Sequence, residues 1–352
     1  MKKNNKQWWL FMAITIVMML IFCELTFRLA LWATKKIPFG RPDLAIKERF
    51  YPELKLVENA HISPTNDSLD ILILGGSVVA DEWRSKVAKN LRDSLKIALK
   101  TDKVRYFNLA NLGHTTVDNL YKYQSLSDKR FDLVIYYEGI NETRFNNVPN
   151  KFFRNDYTHI RWYHDIDLIK QHPEMRYTIF PFVIQLISNY SSALAGNRYF
   201  MNDAPDPVYY SEGGNIKTAA IYKENLTKII AVAQKRGEPL LMVNFTYYIP
   251  DRWRKSGFRD NEWDFTPFFL SSPIATWGTA PNVEKGILAH RTMMQQLSSL
   301  NQGVSYFDMN SVMPKEGQYF VDICHFTDKG SRIFANSLAD FILTHKVLKT
   351  RF

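Results

Sequence analysis

A serine that follows two glycines is the first residue whose setting could support chemistry. The stretch 72–77 reads Leu-Ile-Leu-Gly-Gly-Ser, and its apolar part predicts a buried strand. Two glycines permit a sharp turn after the strand and leave little bulk beside the Ser77 hydroxyl. No Gly-Lys-Ser/Thr follows, the third glycine of a dinucleotide fingerprint is missing, and Val79 replaces the second glycine of a G-x-S-x-G elbow. Ser77 is therefore a candidate nucleophile, and an ordinary loop serine is the alternative for this motif alone.

A histidine near the C-terminus could act as the base for that serine. His325 lies just before a predicted closing helix, and Asp322 precedes it by three residues. A carboxylate at this spacing can fold back onto the imidazole Nδ1 and fix the tautomer in which Nε2 faces a nucleophile. Cys324 is a less favoured nucleophile, because adjacent side chains in an extended turn point apart.

Two neutral hydrogen-bond donors follow the next two predicted strands. Gly113 ends the stretch 108–113, and Asn141 lies in the stretch 137–142. A glycine amide and an asparagine side-chain amide suit a developing oxyanion, although an asparagine in such a turn is more often structural. Because open parallel sheets bind ligands at the carboxyl ends of their strands, we expect these groups to meet at one edge of the sheet.

The ordered set of Ser77, Gly113, Asn141, Asp322 and His325 resembles the SGNH (GDSL-type) hydrolase superfamily over residues 69 to about 345. The serine block reads Gly-Gly-Ser where the family pattern has Gly-Asp-Ser, which leaves the subfamily open. The resemblance implies that Ser77 is the nucleophile and, through its own amide, the first oxyanion donor. It implies that Gly113 and Asn141 are the other donors and that Asp322 orients His325. It also implies an acyl-serine intermediate and no metal or organic cofactor.

The elements that must position these residues are five short apolar runs with helical patterns between them. The predicted strands are 71–74, 104–109, 133–137, 240–245 and 304–307. The clearest helical patterns are 83–99, 216–236 and the closing segment 328–343. This alternation predicts an α/β protein with three layers, α/β/α, around a mainly parallel five-stranded sheet. The resemblance implies the flavodoxin-like fold of SGNH hydrolases.

The N-terminus predicts one membrane helix. Three lysines precede an apolar run at 8–23, which 25–32 extends. A cleaved signal peptide is the alternative, but the run is long and no A-x-A site follows; a lipoprotein box before Cys23 is weaker, because Phe22 is bulky. Since moving three lysines across a bilayer is costly, we expect a single-pass protein with its folded domain on the external, periplasmic side of a bacterial inner membrane.

The predicted domain order is an anchor at 1–36, a proline-containing tether at 37–68, and an SGNH hydrolase-like domain at 69–352. Two long insertions, at about 146–215 and 251–281, are rich in aromatic residues. Loops of that length are usually lids or binding surfaces. A cap that lines the substrate site and a satellite hydrophobic core are both open as interpretations.

The composition disfavours some classes of function. The formal net charge of +10 is spread along the chain, so nucleic-acid binding is not favoured, and two distant cysteines give no disulfide framework. The sequence predicts a serine esterase that removes a small acyl group, such as acetyl, from a cell-surface glycan or lipid. The alternatives are an O-acyltransferase that modifies an extracellular or wall polysaccharide and a non-catalytic, membrane-tethered glycan-binding protein. No histidine pair has metal-ligand spacing such as H-E-x-x-H.

Overall fold

The computed structural model describes residues 5–62, 65, 67–81, 86–202, 204–250 and 277–348. The chain forms two compact units. The helical unit comprises Met1–Pro52 and Asp156–Asn202, and the sheet unit comprises Glu53–Asn155 and Asp203–Phe352. Most of the insertion at 251–281 lies outside the described residues. The bounds predicted for anchor, tether and folded domain stay a prediction.

The longer helices among the described residues are α1 (Asn5–Lys35), α2 (Val87–Leu99), α3 (Thr116–Ser125), α4 (Arg161–Gln171), α5 (Phe180–Leu194), α6 (Thr218–Arg236), α7 (Ala280–Leu300) and α8 (Asp328–Thr344). Shorter helical segments are Pro42–Leu44, Ile46–Phe50, Pro52–Leu54, Lys55–Glu58, Asn141–Asn147, Pro173–Arg176, Pro207–Gly214, Met309–Val312 and Gly317–Tyr319. In the sheet unit α2 packs against α8, and α6 packs against both α3 and α7.

Five parallel strands form the sheet, in the order β2-β1-β3-β4-β5. They are β1 (Leu69–Gly75), β2 (Val104–Asn108), β3 (Leu133–Tyr137), β4 (Leu240–Val243) and β5 (Val304–Phe307). β1 is buried along its whole length, and its Ile71 lies opposite Tyr106 on one side and Leu133 on the other. This strand order is the flavodoxin-like one, in which ligands bind beside the carboxyl ends of β1 and β3. The predicted α/β/α fold is confirmed.

The apolar pattern does not predict α7, although its buried positions have helical spacing. A glycine and a histidine occupy two of those positions, Gly286 and His290. His290 is fully buried, and its ring nitrogens bond the Gly139 carbonyl oxygen and the Thr218 hydroxyl, each at 2.9 Å. Because these polar contacts replace apolar side chains in the core, the hydrophobic period of the helix is broken in the sequence.

The helical unit contains the long apolar helix that the sequence predicts. The most apolar 18-residue window of the helix Lys6–Lys35 has a mean hydropathy of 2.4, and the length and composition of the helix allow it to cross a membrane. The segment that follows, which the sequence predicts to be a tether, contains short helical segments, the first of them Pro42–Leu44 and Ile46–Phe50. The buried residues of this part include Phe50, whose ring packs edge-to-face on Trp162 of α4.

Candidate active site

Ser77, His325 and Asp322 form one hydrogen-bonded line in the sheet unit. The Ser77 Oγ lies 2.8 Å from His325 Nε2, and His325 Nδ1 lies 2.7 Å from Asp322 Oδ2. Because an ionised carboxylate only accepts hydrogen bonds, Nδ1 carries the hydrogen and Nε2 accepts from the serine hydroxyl. The structure therefore brings together the three side chains that the sequence analysis selects. Ser77 and His325 are 248 positions apart in the sequence.

A tight turn before α8 holds the carboxylate under the imidazole. The Val321 amide donates to the His325 carbonyl oxygen at 2.9 Å and closes the turn. The Asp322 Oδ1 accepts the backbone N–H groups of Cys324 and His325, both at 2.8 Å, while its other oxygen accepts from the ring. Thr327 then caps α8 by accepting from the Gly330 amide. The orientation of His325 is thus fixed by backbone contacts as well as by Asp322.

The electrostatics of this pair favour a basic imidazole beside an ionised carboxylate. Burial raises the pKa of Asp322, but His325 and two backbone N–H groups outweigh it, so the net pKa lies below the ordinary value. Burial lowers the pKa of His325, but the Asp322 carboxylate outweighs it, so the net pKa lies above the ordinary 6.5. Burial also raises the pKa of the Cys324 thiol well above its ordinary value, which disfavours the thiolate at this position.

Asn141 lies directly beside the Gly-Gly-Ser turn. A Cβ atom on Gly76 would overlap the Asn141 Nδ2, so a side chain at the position before Ser77 would displace the amide. The Asn141 Nδ2 donates to the His114 carbonyl oxygen at 2.7 Å, and the Asn141 backbone amide donates to Glu138 Oε1 at 2.7 Å. Gly76 thus leaves the space that the Asn141 amide fills.

Gly113 lies in a loop that runs along the end of β1. The Asn111 amide donates to the Gly75 carbonyl oxygen at 3.4 Å, which holds this loop next to the Ser77 turn. Gly113 has a φ of 66°, a left-handed conformation that glycine adopts without steric cost. Its carbonyl oxygen accepts from the Arg144 guanidinium at 3.0 Å. All five predicted site residues thus lie in the segments that follow the carboxyl ends of β1, β2 and β3, with Asn141 at the start of the helical segment Asn141–Asn147, or in the turn before α8.

Buried ionisable groups support these loops, and sequence reasoning missed them. Lys122 is fully buried; its Nζ donates to the Leu109 carbonyl oxygen, bonds His114 Nδ1 at 2.8 Å and lies 3.3 Å from Glu53 Oε1. Burial and then the Lys122 charge lower the pKa of His114 to about 3, so its imidazole is neutral. Because the His114 ring packs inside the sheet unit, a direct contact between it and a bound ester is not favoured.

Glu138 is a second buried group next to the site. Burial and then the neighbouring Glu142 raise the pKa of Glu138 well above its ordinary value, which favours the neutral acid. The signal available in the sequence was its place, directly after the apolar run of β3, where polar residues of parallel sheets gather. Its contact with the Asn141 amide indicates a role in positioning that loop.

No family model matches the sequence, and no curated protein matches it. The structure is similar to a lipase/acylhydrolase from Enterococcus faecalis, with 14% identity, a TM-score of 0.42, and 80% of this chain and 98% of that chain covered. It is also similar to a GDSL-like lipase from Bacteroides thetaiotaomicron, with 11% identity, a TM-score of 0.44, and 86% of this chain and 99% of that chain covered. For an acetyl xylan esterase the identity is 11% and the TM-score 0.40, with 78% of this chain and 98% of that chain covered.

Proposed function

We propose that this protein is a serine ester hydrolase. The observation that carries the proposal is the line from Ser77 Oγ through His325 to Asp322, with distances of 2.8 and 2.7 Å. This is the arrangement in which an imidazole takes the proton of a hydroxyl as the oxygen attacks a carbonyl carbon. The raised pKa of His325 strengthens the base, and the ionised Asp322 stabilises the imidazolium that forms.

The reaction proceeds in two half-reactions that balance in protons. Ser77 Oγ bonds the ester carbonyl carbon while its proton passes to His325 Nε2. The tetrahedral intermediate collapses, the bond to the alcohol oxygen breaks, and that alcohol leaves with the proton from His325. Water then attacks the acyl-serine and gives a proton to His325, which returns it to Ser77 as the carboxylic acid is released.

The negative oxygen of each tetrahedral intermediate requires hydrogen-bond donors. We assign this role to the backbone amides of Ser77 and Gly113 and to the Asn141 side chain. The close approach of Asn141 Nδ2 to Gly76 supports its inclusion. Donors of this type each contribute about 3 kcal/mol to stabilisation of the transition state.

Replacing Asn141 with alanine is expected to lower kcat by about 10²–10³-fold with little change in KM, because the lost donor acts on the transition state. The measurement is steady-state hydrolysis of p-nitrophenyl acetate by the full chain in detergent micelles. Asn147→Ala is the matched control, since Asn147 lies in the same helical segment and its amide also donates to carbonyl oxygens, those of Arg144 and Trp277. Equal rate losses in the two variants would contradict the assignment.

For the substrate, we propose an acylated glycan or lipid at the outer face of the membrane that α1 crosses, with acetyl as the favoured acyl group. Support for a glycan comes from an aromatic side chain near the site. The Trp277 ring lies 5.0 Å from the Arg144 guanidinium, which itself bonds the Gly113 carbonyl group. Aromatic faces pack on the apolar faces of sugar rings, and a small acyl group fits a nucleophile on a loop with little side-chain bulk.

The test of the proposed function is turnover of acetyl esters by the full chain in micelles. We expect p-nitrophenyl acetate and an acetylated xylo-oligosaccharide to release acetate at rates that depend on Ser77. If p-nitrophenol release requires an added oligosaccharide and acetyl appears on that sugar, the protein is an O-acyltransferase. If neither ester is turned over by a protein with an intact fold, hydrolysis is contradicted and a glycan-binding role is indicated.

A further inference from the structure

Arg144 is a buried cation beside the candidate active site, and the proposed reaction does not use its charge. It follows Asn141 by three residues in the helical segment Asn141–Asn147, and only 7% of its surface is exposed. Its Nη2 donates to the Gly113 carbonyl oxygen at 3.0 Å. A Cβ atom built on Gly113 would lie 3.3 Å from Nη2 and 3.4 Å from Nη1. The guanidinium therefore faces the α-carbon of a residue to which we assign an oxyanion donor.

The positive charge of Arg144 forms no ion pair with any residue that the structure describes. Two buried carboxyl groups lie nearby, but they bond other groups. Glu138 accepts the Asn141 backbone amide, and Glu142 accepts the Thr116 hydroxyl. The Arg144 Nε is buried and has no hydrogen-bond partner within the described part of the chain. Because a buried charge is normally paired with one of opposite sign, this guanidinium is suited to an anionic ligand.

Two aromatic rings border the guanidinium. Its Cζ lies 5.1 Å from the centroid of the Phe145 ring and 5.0 Å from that of the Trp277 ring. Phe145 is fully buried, and Trp277 is half-buried, with its carbonyl oxygen accepting from the Asn147 amide at 2.7 Å. Rings at this distance keep water away from the cation, and a charge-assisted hydrogen bond is stronger where water is excluded. An anion that reaches Arg144 is therefore expected to bind more strongly than it would at an exposed arginine.

We propose that Arg144 binds a carboxylate of the substrate and makes the protein selective for esters of acidic glycans, whose sugar rings carry uronic-acid carboxylates. This inference rests on the proposed ester hydrolysis, because the carboxylate belongs to the molecule whose ester reacts beside Gly113. A planar guanidinium matches a carboxylate in two parallel hydrogen bonds, and the two single charges balance. Trp277, next to the guanidinium, supplies an aromatic face for the sugar ring.

The experiment compares two substrates that differ only in charge. One is an O-acetylated oligoglucuronate, and the other is the same oligosaccharide with its carboxylates converted to primary amides. Acetate release by the full chain in detergent micelles gives kcat/KM for each substrate. We expect the wild-type kcat/KM for the acid to exceed that for the amide by about tenfold or more. Equal values for the two substrates would overturn the inference without the use of any variant.

The variant Arg144→Gln removes the charge, and we expect it to reduce the preference for the acid to within about twofold. Loss of the bond to Gly113 would slow both substrates alike, so the ratio of the two kcat/KM values isolates the carboxylate contact. A preference that Arg144→Gln retains in full would also overturn the inference.

The matched control is Arg236→Gln, which should keep the wild-type preference. Arg236 also donates to a backbone carbonyl oxygen, that of Tyr123 at 3.1 Å, and its Cζ lies 4.6 Å from the Tyr123 ring. It is the last residue of α6 and precedes the amino end of β4, whereas the candidate site lies at the carboxyl ends of the strands.

Binding without turnover separates this inference from the proposed reaction. Oligoglucuronate without acetyl groups is titrated calorimetrically into the wild type and into Arg144→Gln, and we expect the variant to bind about tenfold more weakly or worse. Such a difference in a protein that hydrolyses neither ester would support the carboxylate contact and contradict only the reaction. Equal affinities of the two proteins would contradict the contact, whether or not the esters are hydrolysed.

Discussion

Replacing Ser77 with alanine is expected to lower kcat for p-nitrophenyl acetate hydrolysis by about 10⁶-fold. The substitution removes the oxygen that attacks the carbonyl carbon, so no acyl-serine can form. The side chain is small and only half-buried, and its hydroxyl bonds the His325 ring, so the fold is expected to stay intact. Steady-state kinetics and the thermal unfolding midpoint of the full chain in micelles measure the two effects.

The control for Ser77→Ala is Ser94→Ala, which also removes a serine hydroxyl that bonds another side chain, that of Asn336 at 2.8 Å. Ser94 lies on α2 away from the loops of the site, and we expect its rate to match the wild type within twofold. A Ser77→Ala variant that keeps its rate within tenfold of the wild type would remove Ser77 from the mechanism.

The second large effect is expected for Asp322→Asn, which should lower kcat by about 10⁴-fold. An asparagine amide can donate to His325 Nδ1, and the imidazole then carries its hydrogen on Nε2, where it cannot accept the Ser77 proton. The variant keeps the shape of the turn, because the asparagine oxygen can still accept the Cys324 and His325 backbone N–H groups. The measurement is kcat/KM for an acetyl ester.

The pH dependence of the same variant gives an independent readout. Neutral His325 is the base, so the wild-type rate rises with pH through the pKa of His325, which lies above 6.5. Without the Asp322 charge, burial alone acts and lowers that pKa, so the acidic limb shifts to lower pH while the maximum rate falls. Asp328→Asn is the control, since its exposed ion pair with Lys86 lies only three residues from His325. An acidic limb that stays in place in Asp322→Asn would contradict the assigned role.

The central strands β1, β3 and β4 were predictable because each is a short apolar run that is buried along its whole length. β1, β3 and β4 lie within two residues of their predicted ends, and their parallel pairing follows from the helical patterns between them. Helix α7 was not predictable in the same way. Its core positions include Gly286 and His290, and the partners that satisfy His290 come from residues 72 and 151 positions away.

The positions of the five candidate residues were predictable, because three of them belong to segments that follow strands and the other two to one short turn in which the spacing of Asp322 and His325 allows a direct contact, and the parallel sheet brings these segments to one edge. The groups beneath them were not. Lys122 and Glu138 are buried only because the fold brings Glu53, His114 and Asn141 to them, and no local pattern marks a lysine or glutamate for burial. The catalytic and oxyanion roles of the five site residues stay a prediction.

The fold of the insertion at 146–215 could not be predicted from the sequence either. Its aromatic composition was compatible with a substrate cap or a satellite core, and its residues 156–202 form the helical unit together with the N-terminal part of the chain. The contacts that decide this, such as Lys35 with Asp165, join positions 130 residues apart. Periodicity within one segment carries no information about such a partner.

The central claim is that His325 activates Ser77, and reaction with a fluorophosphonate probe tests it most directly. We expect the full-length protein in micelles to gain one phosphonyl adduct, mapped by mass spectrometry to the peptide that contains Ser77. The adduct should be absent in Ser77→Ala and should form at least 10³-fold more slowly in His325→Ala, since the hydroxyl then lacks its base. A folded wild-type protein that gains no adduct, or an adduct that forms at the same rate without His325, would contradict the claim.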